Sequence, residues 1–347
     1  MVFWYLLILL VALIGVRFCK EGYCQDYLGK EQGNAVKGVF IMLVFLGHAI
    51  ADIKQCGFVP EVWVDKTAYD IWRGMGQLVV AMFLFYSGFG VMRSLMNKGE
   101  AYLDTYPKSR LLTTLVNFDI AVCVFVLLAL ILGRKVAYSQ VFPSFIGWDS
   151  VGNSNWYIFI ILCCYFVFYL VFKMVGARYL AGTLLLGFVL FVGMLVLHEV
   201  KGRIWYNTIL VFPAGVLYAL YAEELEKVIQ KRYILSLLVL LIVFLSLRCL
   251  CGVHPLHGLT HNMAAIVFSV LVVAITMKVK ISNRWLVWCG FSLFPIYIYQ
   301  RLPMYTVEHF AGDVWVSGHP HLFIAACFTV TAGISVLYNK FLRIKFK

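Results

Sequence analysis

Long apolar runs separated by short polar segments repeat along the whole chain. Most runs are long enough for a helix that crosses a hydrocarbon layer about 30 Å thick, so the pattern predicts an all-α, polytopic membrane helix bundle. We place about eleven transmembrane helices, at residues 2–18, 38–53, 76–96, 111–132, 155–175, 180–198, 205–222, 233–251, 262–278, 285–303 and 319–340. Between two of them, the segment 223–232 has acidic residues first and basic residues last, which predicts a short helix outside the membrane.

The composition is typical of an integral membrane protein. Of its 347 residues, 63% are hydrophobic and 13% are charged, and the mean hydropathy is +0.88. Most of the 29 Lys and Arg residues fall in alternate polar segments. This bias predicts an outside N-terminus and a cytoplasmic C-terminus. The net charge of +12 then follows from topology and from contact with anionic membrane lipids, so we expect no nucleic-acid partner.

The first apolar run has no basic residue before it and no small-residue cleavage site after it, so we interpret it as a retained anchor. Ten cysteines are scattered without the spacing of a zinc site or a disulfide framework. Cys56, Cys249 and Cys251 lie on the outer side, where a disulfide is possible. The histidines of the segment 254–261 have a spacing that a metal can use, but no acid or thiol accompanies them. We therefore predict no metal site.

The segment from Lys37 to His48 carries the first candidate chemistry. Eleven residues of helix advance about 16 Å in about three turns, so both side chains share one face. With Lys37 at one membrane surface, His48 lies near mid-depth, where polar side chains are costly and are functional candidates by default. A histidine satisfied by its neighbours in the core is the alternative interpretation.

Further polar groups accompany His48. Ser87 and Gly88 interrupt the third span, which indicates close helix packing or the approach of a ligand. Taken singly, Arg93, Lys108 and Arg110 are ordinary residues that anchor helix ends at the membrane surface. Grouped beside Lys37, they suit a phosphate-rich ligand.

Two polar groups are expected toward the outer side of the membrane. Asn153, Asn155 and Trp156 open the fifth span and are either interfacial residues or a sugar-binding set. Tyr297, Gln300 and Arg301 share one face of the tenth span, because they are three and four residues apart.

Taken in order, these pieces resemble the membrane acyltransferases called acyltransferase family 3. The resemblance covers about residues 34–300 and rests on several stretches together. They are Lys37 to His48, Phe83 to Phe89, Lys108 to Arg110, Trp156-Tyr157, Phe212 with Gly215, and Ser292 to Tyr297. It implies a domain at 34–347 with a ten-helix core. Residues 1–33 would then add an extra transmembrane anchor and a cytosolic loop.

The resemblance further implies an O-acyltransferase. Such an enzyme takes an acyl group, commonly acetyl, from acyl-CoA and gives it to a hydroxyl of a carbohydrate or a lipid-linked sugar. Acyl-CoA would be a co-substrate, with no permanently bound cofactor. The absence of a soluble partner domain fits a bacterial inner membrane.

In this interpretation His48 is a general base or an acyl carrier, and Ser87, Tyr297 or Gln300 donates to the oxyanion. Lys37, Arg93, Lys108 and Arg110 hold the phosphates of CoA, while Asn153, Asn155, Trp156 and Arg301 bind the acceptor. Two residues depart from the family pattern. Lys37 stands where many members have arginine, and Gln300 stands where a histidine is expected.

A secondary transporter or exporter of an anionic or sugar-containing substrate is the alternative, because broken spans and deep polar residues also occur in transporters. Against it, we assign only Asp119 as a carboxylate within a span, whereas proton coupling uses chains of such groups.

Overall fold

The computed structural model describes residues 1–251 and 257–346, and within them the fold is built from helices. The first half contains α1 (Val2–Leu13), α2 (Lys30–Gln55), α3 (Trp63–Met75), α4 (Leu78–Lys98), α5 (Glu100–Tyr106), α6 (Thr113–Ile131), α7 (Tyr138–Phe145) and α8 (Trp156–Val175). The second half contains α9 (Tyr179–Val200), α10 (Val211–Leu220), α11 (Ala222–Lys231), α12 (Tyr233–Leu250), α13 (His257–Thr276), α14 (Arg284–Phe291), α15 (Leu293–Tyr299), α16 (Arg301–Ala311), α17 (Asp313–Gly318) and α18 (Pro320–Leu337). The short helix predicted at 223–232 is confirmed as α11.

Eight stretches of the described residues are long and apolar enough to cross a membrane. They are Lys30–Gln55, Trp63–Lys98, Glu100–Ile131, Trp156–Val175, Tyr179–Val200, Tyr233–Leu250, His257–Thr276 and Pro320–Leu342. Each matches one predicted span, so the prediction of a polytopic helical membrane protein is confirmed. Among them α12 has no buried residue, and its apolar side chains face outward, as a helix in contact with lipid requires.

The other three predicted spans contain shorter or broken helices, so eight of the eleven predicted spans are confirmed as long apolar helices in the described residues. The first run ends after twelve residues at Leu13, and Gly15 with a positive φ then turns the chain into a strand. The run at 205–222 yields only the ten residues of α10. The run at 285–303 divides into α14, α15 and α16.

Proline accounts for part of the division of the 285–303 run. Pro295 lies in α15 and Pro303 in α16, and neither has a backbone N–H for the carbonyl four residues earlier. Such interruptions persist in membrane proteins where neighbouring groups satisfy the freed backbone. Ser292, between α14 and α15, accepts a side-chain hydrogen bond at 2.8 Å from Asn339.

A two-stranded antiparallel sheet, which the sequence analysis did not predict, joins distant parts of the chain. Strand β1 (Val16–Phe18) pairs with strand β2 (Val279–Ile281). Next to it Cys19 and Cys24 form a disulfide, whereas Cys56, Cys249 and Cys251 are free.

The polar segments gather on two opposite faces of the bundle. One, here called the basic face, comprises residues 16–37, 93–112, 223–232, 278–284 and 339–346. The sheet joins two of its segments, Tyr23 donates to the carbonyl of Gln230, and Asn117 binds the backbone of Ile344. The other, here called the far face, comprises residues 54–77, 133–156 and 301–319. It is joined by an Arg134–Glu308 ion pair at 3.4 Å.

Reciprocal glycine contacts hold four helices of the core together. A Cβ on Gly88 of α4 would overlap the carbonyl oxygen of Phe212 in α10, and one on Gly215 of α10 would overlap that of Phe85. Gly38 of α2 and Gly290 of α14 approach the partner backbone in the same way. Small residues allow this approach, which is typical of helix pairs in membranes. The close packing predicted for Ser87-Gly88 is thus present.

Candidate functional site

Helix α2 carries both Lys37 and His48 and runs from the basic face toward the far face. It continues unbroken from Lys30 to Gln55, so the predicted helical relation between the two side chains is confirmed. Gly38 fixes one end of α2 against α14. Near the other end, Gly47 leaves room for the indole ring of Trp72, which lies where a Cβ would be.

His48 lies in the wall of a cavity of about 560 Å³, here called the far cavity. Residues of α2, α3, α4, α8, α15 and α16 surround it, together with the loop that precedes α8. The predicted site residues among its lining are His48, Asn153, Asn155, Trp156, Tyr297 and Arg301. Residues far apart in the sequence therefore converge on one cavity, and the sequence had singled out six of them.

The imidazole of His48 has one nitrogen toward the cavity and one toward the core. Nδ1 is buried and has no hydrogen-bond partner among the described residues, so the accessible edge of the ring is the one that carries Nε2. Gln300 lies next to the ring, is fully buried, and donates through Nε2 to the carbonyl of Tyr297 at 2.9 Å. Its Oε1 is also buried without a partner. In the described residues no hydrogen bond joins Oε1 of Gln300 to Nδ1 of His48, so the structure leaves the tautomer of the ring open.

Asp52 is a site residue that the sequence analysis missed. It lies one helical turn after His48 and pairs with Arg301 at 3.4 Å. Arg301 also donates to the hydroxyl of Tyr305 at 3.3 Å. Asp52 falls inside the span predicted at 38–53, so the statement that only Asp119 lies within a span was wrong. The spacing of four residues from His48 on a single helix was the available signal.

The loop before α8 is shaped by its own side chains. Asn155 donates to the carbonyls of Gly147 and Asp149, both at 2.9 Å. Gly152 adopts a positive φ of 109°, in the region that favours glycine. In contrast, Nδ2 of Asn153 and Oγ of Ser154 are buried and have no hydrogen-bond partner in the part of the chain that the structure describes. Asn155 thus holds the loop, while Asn153 and Ser154 have polar atoms free for a ligand.

The remaining predicted residues lie elsewhere. Ser87 is near the hydroxyl of Tyr157 and is not part of the lining of the far cavity. Lys37 and Arg110 are close enough to repel each other on the basic face. Lys108 and Arg93 are exposed there. Arg110, but not the other three basic residues, lines a second cavity of about 180 Å³, here called the basic cavity.

The histidines near the start of α13 have structural partners. His261 contacts the carbonyl of Asn207 at 3.1 Å, and His257 lies 3.4 Å from the side-chain amide of Asn207. His254, also part of the spacing that a metal can use, lies outside the described residues. On the far face, ligand atoms of Cys56, Glu308 and Asp313 lie within 4.8 Å of one another. Neither set lines the far cavity or the basic cavity.

Comparison with known proteins gives one match. Residues 34–339 match a family model described as an acyltransferase domain of the acyltransferase 3 type. No curated protein and no solved structure matches the chain. The matched range contains every residue that lines the far cavity, and every residue that lines the basic cavity except Arg343.

Proposed function

The chain belongs to the acyltransferase 3 family of membrane enzymes, and we propose that it transfers an acyl group, commonly acetyl, from acyl-CoA to a hydroxyl of a carbohydrate or a lipid-linked sugar. The observation that carries this proposal is the position of His48. Its ring lies in the wall of a cavity of about 560 Å³, large enough for a sugar unit, with the indole of Trp156 around it and with groups of Asn153 and Ser154 that have no partner among the described residues. Sugars are bound through such hydroxyl partners and through ring stacking.

The chemistry follows from the imidazole. Nε2 of His48 accepts the proton of the acceptor hydroxyl, and the oxygen attacks the thioester carbonyl to form a C–O bond. The tetrahedral oxyanion then collapses, the C–S bond breaks, and the CoA thiolate takes the proton from the imidazolium. In a second route Nε2 of His48 attacks the thioester carbonyl, the C–S bond breaks, and CoA leaves as thiolate. The acceptor hydroxyl then attacks the acyl-imidazolium, the C–N bond breaks, and the hydroxyl proton passes to the thiolate.

Two neighbours of His48 support this chemistry. The hydroxyl of Tyr297 is buried without a hydrogen-bond partner and lies beside the cavity, where it can donate to the oxyanion. Gln300 touches the ring of His48 from the buried side and acts as a positioning residue. The Asp52–Arg301 ion pair places a guanidinium in the cavity wall, where it suits an electronegative acceptor.

Donor binding belongs to the basic face in this proposal. Lys37 and Arg110 are near each other, and Lys108 and Arg93 are exposed on the same face, so their charges attract the phosphates of CoA. The basic face is cytosolic, the membrane is the bacterial inner membrane, and residues 1–33 are an anchor outside the transferase domain.

The test is transfer of label by the purified full-length protein. With acetyl-CoA labelled in the acetyl group and an extract of envelope glycans, the parent protein is expected to label a glycan. His48→Ala is expected to lower the rate at least a hundredfold, because both routes need the imidazole. His309→Ala is the matched control, since His309 is exposed on α16 and lines neither cavity. Equal transfer by the His48→Ala and His309→Ala proteins excludes the mechanism.

A further inference from the structure

Polar residues of α2 and α16 face each other at the far face. At the end of α2, Cys56 follows Asp52 by four residues, so both side chains lie on one side of the helix. On α16, Glu308 follows Arg301 by seven residues and also lies on the same side as its predecessor. The Asp52–Arg301 ion pair joins the two helices at one point. The two polar rows therefore run side by side toward the membrane surface.

The rows end in a group of three side chains, here called the thiol cluster, which comprises Cys56, Glu308 and Asp313. One atom of each, the sulfur or a carboxylate oxygen, lies within 4.8 Å of the atoms of the other two. Asp313 begins α17 directly after Gly312, whose φ of 80° lies in the region that favours glycine. Cys56 is buried and Asp313 is exposed, so the cluster is closed toward the core and open toward solvent.

A buried carboxylate oxygen lies beside the thiol cluster without a partner. The side chain of Asp52 is 9% exposed, and its Oδ1 pairs with Arg301. Its Oδ2 is buried and has no hydrogen bond within the described part of the chain. The carboxylate is close enough to Cys56 and Glu308 for their charges to interact. Leaving such an atom unpaired is costly, and a cation or a water bound to a cation would remove this cost.

The donor set of the thiol cluster favours a transition metal. Arg301 and Arg134 each balance one carboxylate, that of Asp52 and that of Glu308, whereas the carboxylate of Asp313 has no ion pair among the described residues. A thiol that binds as thiolate adds a further negative charge. Thiolate ligands favour zinc over magnesium and calcium, and carboxylates complete many zinc sites. Three protein ligands leave one position of a tetrahedral ion for water.

We propose that Cys56, Glu308 and Asp313 bind a divalent transition-metal ion of the zinc type, and that Oδ2 of Asp52 accepts a hydrogen bond from a water on this ion. When the sulfur–metal bond forms, the thiol of Cys56 releases its proton to solvent. The proposal goes beyond the acyl transfer, because no step of that reaction uses the ion. The sequence analysis predicted no metal site, since Cys56 and the two carboxylates are far apart along the chain.

The ion would tie the end of α2 to α16 and α17. Arg301 and Tyr305 of α16 line the far cavity, so the same link would hold one wall of that cavity in place. Metal sites of this kind contribute to the stability of the folded state. We therefore expect the Tm of the full-length protein to rise when zinc is added and to fall when a chelator removes it.

Metal binding by the purified full-length protein tests the site directly. Chelator-treated protein is titrated with Zn²⁺ and, separately, with Co²⁺, whose thiolate complexes have a charge-transfer absorption band in the near ultraviolet. One ion per chain and a cobalt–thiolate band are expected. Cys56→Ser is expected to abolish the band and to weaken Zn²⁺ binding about tenfold or more. Cys249→Ser is the matched control, because Cys249 is a free, exposed cysteine outside the thiol cluster.

The carboxylates are tested with the same ions. Asp313→Asn is expected to weaken Zn²⁺ binding about tenfold or more and to keep the cobalt–thiolate band at saturating Co²⁺. Because Asp313 is exposed, this variant keeps the test valid should Cys56→Ser fail to fold. Asp70→Asn is the matched control, since Asp70 is exposed on α3 and is not part of the thiol cluster. Asp52→Asn is expected to weaken Zn²⁺ binding about tenfold while the band remains.

Two results would overturn the metal site. In the first, the parent protein binds neither ion. In the second, it binds an ion, but the Cys56→Ser and Asp313→Asn proteins bind it as their controls do, so that the ion is held elsewhere. Neither result bears on acyl transfer, which is measured separately with labelled acetyl-CoA.

Discussion

In the proposed mechanism, Gln300 determines which edge of the His48 imidazole can act as the base. Nδ1 of the ring and Oε1 of the amide are both buried and have no hydrogen-bond partner among the described residues. The two side chains lie next to each other. The two together exclude water from the buried edge of the ring and leave the other edge in the far cavity. Gln300 is itself fixed by its hydrogen bond to the carbonyl of Tyr297.

Gln300→Leu keeps the volume of the side chain and removes the acceptor. We expect the kcat of transfer to fall about ten- to a hundredfold, because a poorly oriented base loses most of the rate acceleration that correct positioning gives. The KM for acetyl-CoA is expected to stay within about twofold, since Gln300 is not part of the basic cavity. Steady-state kinetics check this, and a change in KM alone would assign Gln300 to donor binding instead.

The residues that the sequence revealed are those whose chemistry is unusual for their depth. A histidine, a glutamine and an arginine in apolar runs are recognisable without a structure, as are Asn153 and Trp156 at the start of a span. Trp72 and Ser154 were not recognisable. Trp72 reaches the far cavity only because Gly47 leaves room for its ring, and Ser154 only because a loop turns at Gly152. Contacts of this kind depend on packing between distant segments.

At the scale of elements, reciprocal glycines decide which helices touch. The α4–α10 pair brings Ser87 into the core, and the α2–α14 pair aligns α2 with the broken helix that bears Tyr297 and Gln300. The sequence predicted the runs themselves, because hydropathy is local. It missed the division of the tenth run, because the packing of neighbouring segments, such as the hydrogen bond from Asn339 to the side chain of Ser292, is not visible in the sequence.

Gly88→Ala is expected to lower stability by about 1–3 kcal/mol, because the added methyl group meets the carbonyl oxygen of Phe212 and pushes α4 from α10. Gly90→Ala, two residues along the same helix, has open space around it and is expected to leave stability unchanged or slightly raised. Thermal unfolding of both purified variants in detergent checks the difference. Equal melting temperatures would mean that the contact between α4 and α10 is not tight.

At the scale of the whole molecule, the separation of charge between two faces is the main feature. Positive residues favour a cytosolic position for the basic face. The Cys19–Cys24 disulfide on that face is the opposing observation, since disulfides persist mainly in oxidising compartments. The bias of basic residues involves every loop, whereas the disulfide concerns one. We therefore expect the charges to determine the orientation, with the basic face in the cytosol. In cells, Cys19 and Cys24 would then be thiols.

Labelling of intact bacterial cells checks this orientation. With a membrane-impermeant maleimide, Lys66→Cys on the far face is expected to gain label over the parent protein, and Lys98→Cys on the basic face to gain none until the membrane is opened. Both lysines are exposed, so access to the reagent depends only on the side of the membrane. The reverse pattern, together with an oxidised Cys19–Cys24 pair, would place the basic face outside.

Helix α15 has a consequence for the membrane as well as for the reaction, because Pro295 lines the basic cavity and Tyr297, two residues further on, lines the far cavity. If the far cavity and the basic cavity joined within the lipid bilayer, they would form a pore. An open pore dissipates a proton gradient. The ring of Tyr297, which is 1% exposed, blocks the path between the two cavities at that point. We expect a smaller side chain in place of Tyr297 to join the two cavities and to raise the ion permeability of the membrane.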